Sequence, residues 1–549
     1  MDRNTLLAFF LIALVLVLTP YYMETFAPTP VPAEAPLDSA RVFVADTPVP
    51  LVQKREIGAI PVISNSLPEK IFTINTNLYV AQISSNGGGT IKSIRYNNYF
   101  YYDSSNIELI NQKEEANLLI KFVNLDGDGV DLSGGWSVSD RPGEINIETS
   151  KSLKFAYTLP SGSVIKKTLS FHPDSYIIDI ETDLSSASQQ VFSGVYSIAW
   201  SGGLRPTEKS IKEDQTYFNS YAYLGGELEE LKTGKGETDS LVFNGAADWV
   251  AVRTKYFLAS LIPQEDSPAV SSSIFGSYKS DEVYGASLSF SSASPSNLSL
   301  YLGPLEYDRV NAVGKDLPRV MNFGWGPIRP VAKGILYVLK ALKNYIPNYG
   351  FVLVLFAIAV KLLVYPLTKK SYQSTAAMQQ IQPEVSAIRE KHKNNPQKLN
   401  QATMELYKAR GVNPLGGCLP MVLQMPLLLA LFIVFRTTIE LRAEPFVWWI
   451  KDLSAPDAVV ILPFSIPIYG AHIAILPILM CVSMFVQQKL MSGGAAQQPQ
   501  QKMMQYFMTG FFFLIFNSFP SGLNLYYTLF NVFSIIQQKL VPPGEPLKN

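Results

Sequence analysis

The sequence has few of the residues on which metal sites, disulfide networks and enzyme active sites depend. Its 549 residues include only two cysteines, Cys418 and Cys481, and three widely separated histidines, His172, His392 and His472. A disulfide-stapled fold and a Cys-rich zinc or iron–sulfur site are therefore excluded, and a histidine-based metal site is disfavoured. Walker, G-x-S-x-G and H-E-x-x-H motifs are also missing. We therefore expect no cofactor, and any transport must be passive or powered by a partner.

Charge is scarce as well. Charged residues make up 16% of the chain, below the roughly 25% typical of soluble domains, whereas hydrophobic residues make up 47%. This composition favours burial and excludes a disordered chain. The 45 basic and 45 acidic residues cancel, which gives no support to a direct nucleic-acid partner.

The N-terminal segment, 1–26, contains an apolar run that begins at Leu6. It is either a cleaved signal peptide or an uncleaved signal anchor. The small-residue pair Ala33 and Ala35 is followed by Pro36, which should resist cleavage, so we favour the anchor. Residues 27–68 contain eight prolines, a composition typical of an extended linker.

Residues 69–322 alternate apolar with polar side chains in short runs between Gly-, Asn-, Asp- and Ser-rich turns, for example at 72–80, 145–149, 167–171 and 176–182. This pattern predicts an antiparallel β-sandwich of about 250 residues. Residues 124–129 resemble the start of an EF-hand loop. Its twelfth position, which needs a Glu, is Gly135, so we interpret the segment as a turn.

Residues 323–346 predict an amphipathic helix, with Val331, Ile335, Val338, Leu339 and Leu342 on one face. Because a long apolar run follows, we expect the helix to lie in the membrane interface. The alternative is an ordinary surface helix of the β domain.

Five apolar runs follow, at about 349–368, 416–436, 471–491, 503–519 and 522–541. Each is long enough to cross a hydrocarbon core of about 30 Å. With the N-terminal run they make six spans, so both termini lie on one side. Segment 369–410 carries eight Lys/Arg and three Asp/Glu. The positive-inside rule makes it cytoplasmic, together with both termini and the tail 542–549, and places the β domain outside.

The cytoplasmic segment, 369–412, predicts a helical hairpin. Asn395 and Pro396 fit the start of its second helix, Gly411 fits the end, and Pro383 should begin or kink the first helix. The apolar stripes are Met378, Ile381, Val385 and Ile388 on the first helix, and Leu399, Ala402 and Leu406 on the second.

Lys361 lies inside the first apolar run after the β domain. A lysine within a span costs roughly 2.5–3.5 kcal/mol on insertion scales, and such a residue faces a protein interior or a water-filled cavity. The alternative is that its long stem lifts the ammonium group to the membrane surface.

Other polar residues occupy the apolar runs. Asn524, Tyr527, Asn531 and Ser534 are spaced 3, 4 and 3 residues apart and share one helical face. Together with Gln424 and Lys361 they predict a wet groove. The alternative is that they form hydrogen bonds that hold helices together.

Several motifs carry a family resemblance. The chain resembles the YidC/Oxa/Alb membrane insertases at KLLVYPLT (361–368), NPLGGCLPMVLQMP (413–426), VWWIKDLS (447–454) and FPSGLNLYY (519–527). In the β domain, WVAV (249–252), KYF (255–257), YLGP (301–304) and FGW (323–325) are similar to the Gram-negative form of the family. The resemblance covers nearly the whole chain.

The resemblance implies a multi-domain α+β membrane protein of the bacterial inner membrane. It would combine a periplasmic antiparallel β-supersandwich with a six-span helical domain, whose five-span core encloses a groove open to cytoplasm and lipid. The groove's basic residue corresponds to Lys361, where many relatives have Arg. Lysine keeps the charge but loses the bidentate geometry of Arg.

The implied function is non-enzymatic insertion and folding of membrane proteins. The implied partners are nascent membrane proteins and lipids, with the Sec translocon and the ribosome. Two alternatives remain: a secondary transporter or channel that uses Lys361, and a membrane-anchored periplasmic carbohydrate enzyme. Residues 461–477 look longer than in familiar relatives and predict an extra interfacial segment.

Charge is separated along the chain. Residues 27–326 hold 24 Lys/Arg and 35 Asp/Glu, a net −11, and the remaining residues hold 21 and 10, a net +11. Neutrality therefore hides an acidic outer domain joined to a basic membrane part.

Overall fold

The computed structural model describes residues 67–110, 117–279, 281–393, 395–412, 419–467, 469–491 and 499–540. The predicted signal anchor (1–26), nearly all of the predicted linker (27–68) and the tail (542–549) lie outside these residues. The described residues hold most of the predicted β domain and the helices that follow it.

Twenty strands of the described residues make up the β domain. They are β1 Ile71–Asn75, β2 Tyr79–Ser84, β3 Thr90–Phe100, β4 Asn106–Glu108, β5 Leu119–Asn124, β6 Gly129–Asp131, β7 Ser137–Val138, β8 Gly143–Asn146, β9 Lys151–Thr158, β10 Val164–Phe171, β11 Ile177–Asp183, β12 Val191–Trp200, β13 Asn219–Leu224, β14 Glu227–Leu231, β15 Thr238–Asn244, β16 Trp249–Arg253, β17 Phe257–Pro263, β18 Ser271–Tyr278, β19 Glu282–Ser291 and β20 Ser296–Pro304. Alternate side chains point to opposite faces of a strand, as in β10, where every second residue from Ile165 to Phe171 is buried. The alternation of apolar and polar residues along a strand therefore indicates which of its side chains lie in the core.

The strands form a five-stranded sheet (β4-β3-β2-β1-β8), a nine-stranded sheet (β14-β13-β16-β17-β20-β11-β10-β9-β7) and a six-stranded sheet (β15-β18-β19-β12-β5-β6). The nine- and six-stranded sheets pack face to face through β13, β16, β18 and β19. Strands β1 and β8 pair in parallel, so the prediction of a wholly antiparallel sandwich is wrong there. A parallel pair needs a long crossover, and here β2 to β7 supply it.

The turn interpretation of residues 124–129 is confirmed. The Asn124 N–H donates to the Asp128 carbonyl at 2.9 Å, and the Asn124 side-chain oxygen accepts from the Asp128 N–H at 2.8 Å. These bonds close a tight connection between β5 and β6.

The helices and the last two strands of the described residues are α1 Ile211–Gln215, α2 Tyr307–Val313, α3 Ile328–Lys343, α4 Tyr349–Gln380, α5 Gln382–Lys391, α6 Pro396–Ala409, α7 Leu419–Thr437, β21 Ala458–Ile466, β22 Gly470–Ala474, α8 Ile475–Met491, α9 Pro499–Phe516 and α10 Ser521–Leu540. Helix α10 packs against α8 and α4, α9 against α8, and α3 against α7 and α4. The helices therefore form one bundle.

Among the described residues, α4 is the one helix that is long and apolar enough by itself to cross a membrane. Shorter apolar helical stretches lie at Gln424–Thr437, Ile475–Leu490 and Tyr506–Phe516. The count of six spans stays a prediction.

At three places the helix bounds differ from the ends of the predicted spans. Helix α4 continues past 368 to Gln380, because residues 369–380 contain no proline or glycine to end it. Residues 471–474 lie in β22, so α8 begins at Ile475. Helix α9 begins at Pro499 and ends at Phe516 rather than at 519.

The predicted hairpin, 369–412, is consequently shorter than expected. Its first apolar stripe is divided at Ile381, which separates α4 from α5, and Pro383 lies in the first turn of α5. Asn395 caps α6 by accepting the Lys398 N–H at 3.1 Å. Arg410 and Glu384 join the two helices at 3.0 Å.

The buried face of α3 is rotated relative to the prediction. Val331 and Val338, both predicted on the apolar face, are 37% and 40% exposed. The residues of α3 that are buried lie on the face that packs against α7 and α4. They are Ile328, Ala332, Ile335, Leu336 and Leu339.

The segment predicted as an extra interfacial element, 461–477, mostly forms a two-stranded β-hairpin, β21–β22. A short apolar run cannot be assigned to strand or helix from periodicity alone. Gly470, with φ of 98°, allows the chain to reverse direction at the start of β22.

Candidate functional site

Lys361 lies on the face of α4 that packs against the other helices. Val352, Leu353, Phe356 and Ala357 are buried on this helix, and Lys361 follows Ala357 by one turn. Its side chain is 7% exposed. Packing of α4 against α10 thus directs this lysine into the bundle rather than away from it.

The Lys361 ammonium group contacts α10. Its Nζ donates to Ser534 Oγ at 2.7 Å, and Ser534 Oγ donates to the Phe530 carbonyl at 2.7 Å. The Nζ lies 4.6 Å from the centre of the Phe530 ring and 5.7 Å from that of Tyr372. Aromatic faces stabilise a cation without neutralising it. Within the described residues, Lys361 forms no ion pair with a carboxylate.

Thr368 and Gln537 form a second polar contact between α4 and α10, nearer the C-terminal ends of both helices. Neither residue was predicted. Gln537 Nε2 donates to Thr368 Oγ1 at 3.0 Å, and both side chains are buried. Thr368 follows Lys361 by two helical turns and Gln537 follows Ser534 by one. Extending the two polar faces along the sequence would have identified both residues.

Asn531 and Ser483 connect α10 to α8. The Asn531 amide donates to Ser483 Oγ at 3.2 Å, and Ser483 Oγ donates to the Met480 carbonyl at 2.7 Å. The predicted residue Asn531 therefore belongs to a neighbouring helix contact one turn from Ser534.

Gln424 on α7 lies beside Tyr527 on α10, although the pair lacks hydrogen-bond geometry. Tyr527 Oη and Gln424 Nε2 are buried and have no hydrogen-bond partner among the described residues. Buried polar atoms of this kind are costly unless water or a bound group satisfies them.

Asn524 occupies a different position from the rest of the predicted stripe. Its amide donates to the carbonyls of Phe516 and Phe519, at 3.0 and 3.4 Å, and so closes the turn between α9 and α10. It precedes Ser534 by ten residues, or about 15 Å along the helix. The structure therefore does not bring Asn524 to Lys361.

Two cavities lie near Lys361, and Lys361 itself lines the first of them. One, of about 270 Å³, opens between α4 and α10 and is lined mainly by apolar side chains, including Ile358, Leu362 and Phe533. The other, of about 490 Å³, lies toward the C-terminal ends of α4 and α10, where it is lined by Gln379, Gln538 and other side chains. Tyr372 lines the second cavity and also faces the Lys361 ammonium group. Lys361 thus lines the apolar opening, and the polar cavity comes near it at Tyr372.

The opposite end of the bundle is joined to the β domain. Lys340 Nζ contacts Asp308 at 2.5 Å and Glu440 at 3.3 Å, and Lys343 contacts Glu444 at 2.9 Å. Burial raises the pKa of Glu440, and Lys340 offsets part of this rise. This packed, ion-paired layer separates Lys361 from the side of the β domain.

Two protein-family models match the chain. One, described as "60Kd inner membrane protein", matches residues 341–543, and the other, "YidC periplasmic domain", matches residues 71–337. The first covers the helical bundle and the second covers the β domain and part of α3.

Curated relatives are similar over almost their whole length. "Membrane protein insertase YidC" of Chloroherpeton thalassium is 38% identical, over 98% of this chain and 95% of that protein. The protein of the same name from Chlorobaculum parvum is 35% identical, over 98% of this chain and 94% of that protein. A crystal structure described as an active YidC insertase with its first transmembrane domain resolved is 17% identical. It superposes with a TM-score of 0.36 and covers 87% of this chain and 94% of that chain.

Proposed function

The chain belongs to the YidC family of membrane protein insertases, and we propose that it inserts its clients by drawing their acidic segments toward Lys361. The family is non-enzymatic, so no covalent step is involved. Membership implies an inner-membrane protein with a periplasmic β domain. Nascent membrane proteins and lipids are the partners that this function requires.

The observation that carries the proposal is that the Lys361 ammonium group is buried and has no carboxylate partner in the part of the chain that the structure describes. Lys361 is held by one hydroxyl and two aromatic rings. In an interior of low dielectric constant, an uncompensated charge attracts an opposite charge more strongly than it would in water. An acidic client segment that entered the cavity beside Tyr372 would complete this pair.

The apolar opening between α4 and α10 supports the second half of the reaction. A translocating polar segment loses its hydration in hydrocarbon, and this loss opposes its entry. A polar cavity that extends as far as Tyr372, beside Lys361, shortens the distance that such a segment must cross in hydrocarbon. The client's apolar span can then leave through the apolar opening, where burial in lipid is favourable.

For the topology, we propose that α4 and α7 to α10 are five spans and that segment 1–26 is a sixth. The helical pair α5–α6 and both termini would be cytoplasmic, because segment 369–410 has five more basic than acidic residues. Its basic exterior suits contact with the ribosome, and the Sec translocon is a second partner that we propose from the family. The transporter or channel alternative receives no support from relatives named as insertases.

Reconstitution in liposomes tests the role of Lys361. Lys361→Ala should reduce insertion of a single-span client with an acidic translocated tail by at least about tenfold, since a hydrogen bond to a charged group contributes on the order of 1.5–3 kcal/mol. Insertion of the same client with a neutral tail should change little. Lys361→Arg should retain most of the activity toward acidic tails because it keeps the charge.

Lys369→Ala is the matched control. It removes the same charge from the same helix at an exposed position, so both clients should insert as with the unmodified chain. Equal losses for acidic and neutral tails in Lys361→Ala would refute charge attraction. If the unmodified chain inserts the clients no better than protein-free liposomes do, insertase activity itself is refuted.

A further inference from the structure

The hairpin β21–β22 projects apolar side chains from the β-domain end of the helical bundle. It directly precedes α8 and follows the segment whose Arg442 contacts the β domain. Eight of the nine residues of β21 are exposed. The large apolar ones, which are between 37 and 70% exposed, are Val459, Val460, Ile461, Phe464 and Ile466.

The chemistry of the hairpin does not suit contact with water. A sheet with one face in water alternates apolar with polar side chains, whereas β21 exposes apolar residues at successive positions on both faces. Segment 458–488 contains no Asp, Glu, Lys or Arg, the residues that normally protect an exposed strand edge from association. Both faces therefore require apolar surroundings.

Hydrogen bonds hold the hairpin in this exposed position. Asp457 Oδ2 accepts from the Ile475 and Leu476 N–H groups, at 3.0 and 2.8 Å, and so connects the base of the hairpin to the start of α8. The Asn517 amide donates to the carbonyls of Tyr469 and His472, at 2.9 and 2.8 Å. The hairpin therefore cannot fold back to cover its own apolar side chains.

The neighbouring surface indicates what covers it. The exposed face of α8 is apolar, with Ile478, Leu479, Val482 and Val486 at its surface, and it continues from the hairpin. At the base of the hairpin, Trp448 is 86% exposed and stacks on Trp449, and the Trp449 indole donates to Asp457 at 2.9 Å. Tryptophan is enriched at the boundary between membrane and water.

We propose that the hairpin β21–β22 is a membrane anchor that lies in the lipid leaflet on the β-domain side, at the boundary between headgroups and acyl chains. The inference rests on the membrane location proposed above. Within the described ranges, β21 pairs only with β22, and its other edge excludes the centre of the bilayer, where no water can satisfy backbone groups. At the boundary, headgroups and water can satisfy them, and the apolar side chains can enter the acyl region.

Quenching of site-specific probes in liposomes tests this placement. Cys418 and Cys481 are first replaced by alanine in the full chain, and a fluorescent label is attached to cysteine at Phe464, Val482 or Phe192. Val482 reports the surface of α8, and Phe192 is an exposed apolar residue of the β domain. The Phe464 label should be quenched by doxyl-labelled lipids as strongly as the Val482 label. Its quenching by aqueous iodide should be several-fold weaker than for the Phe192 label.

Each other outcome contradicts a distinct statement. If the Val482 label is quenched by lipid while the Phe464 label behaves like the Phe192 label, the hairpin lies in water and the inference fails alone. If neither quencher reaches the Phe464 label, protein covers the hairpin and the inference also fails. If iodide quenches the Val482 label, the membrane placement of the bundle is wrong, and the inference fails with it.

Discussion

Lys361 and Lys167 are two buried lysines whose ammonium groups contact neutral oxygen atoms. Lys361 faces cavities in the helical bundle. Lys167 is fully buried in β10, where its Nζ donates to the Leu118 and Gly87 carbonyls at 2.5 and 3.4 Å. Burial lowers the pKa of Lys167 to about 7. Lys167 thus connects the loop between β2 and β3, which contains Gly87, to the residue before β5. Its protonation should therefore affect the stability of the β domain.

The lowered pKa predicts a pH dependence with a definite sign. In the unfolded chain Lys167 has its ordinary pKa of 10.5, so between about pH 7 and 10.5 the unfolded state binds more protons than the folded state. The free energy of unfolding should therefore rise with pH in this window, by up to about 1.4 kcal/mol per pH unit. Lys167→Met should remove this rise. Urea unfolding of the full chain in detergent, followed by the fluorescence of the buried Trp136, Trp200 and Trp249, measures it.

Lys166→Met provides the control, because Lys166 is the exposed neighbour on the same strand. It should leave the dependence unchanged. If unfolding of the unmodified chain and of Lys167→Met has the same pH dependence, Lys167 keeps an ordinary pKa when buried, and the prediction is wrong.

At the scale of single elements, the contact between the hairpin β21–β22 and the end of α9 depends mainly on Asn517. In addition to its two amide bonds, the Asn517 side-chain oxygen accepts the Ala474 N–H at 3.1 Å. Its own carbonyl contacts His472 Nε2 at 2.9 Å. One buried side chain therefore satisfies three backbone groups of the hairpin.

Asn517→Ala should loosen the hairpin while the bundle remains folded. Each buried group left without a partner costs about 1–3 kcal/mol, so amide hydrogen exchange across Gly470–Ala474 should accelerate at least tenfold. Mass spectrometry of the full chain in detergent measures this exchange. Ser518→Ala is the control, since the Ser518 hydroxyl donates a long bond of 3.4 Å to Tyr469. Unchanged exchange in Asn517→Ala would show that other contacts hold the hairpin.

At the scale of the whole molecule, Arg442 joins the helical bundle to the β domain. Its guanidinium group donates to Glu208 Oε1 at 2.7 Å and to the carbonyls of Phe100 and Thr207 at 2.8 and 3.2 Å. The Arg442 side chain is 7% exposed and that of Glu208 16%. Removing one partner of a pair this buried leaves the other charge without compensation.

Arg442→Ala should therefore free the β domain to move relative to the bundle, at a cost of roughly 3–5 kcal/mol in docking. Spin labels at exposed Lys154 in β9 and exposed Val482 in α8 should give a clearly broader distance distribution. Arg319→Ala, which removes an exposed pair with Asp316, should leave the distribution narrow because exposed pairs contribute about 0–1 kcal/mol. An equally narrow distribution in both variants would assign docking to other contacts.

Sequence reasoning predicted the residue types of the site better than their partners. The periodicity of polar residues identified Lys361 and Ser534, which the structure brings into contact. It also grouped Asn524 with them, because a shared helical face carries no information about distance along the helix. Thr368 and Gln537 were missed because neither is unusual on its own, and their pairing depends on how α4 and α10 pack.

Local composition by itself determined the division of this chain into an acidic β domain and a basic helical part, and it identified the alternating runs that form parts of β1, β2, β8, β10 and β11. It also placed a lysine within an apolar helix. These features depend on hydrophobic periodicity and charge, which are local properties. The tertiary structure alone decided the buried face of α3, the hairpin β21–β22 and the contacts of Arg442. Each of these depends on which surfaces meet, and residues far apart in the chain supply those surfaces.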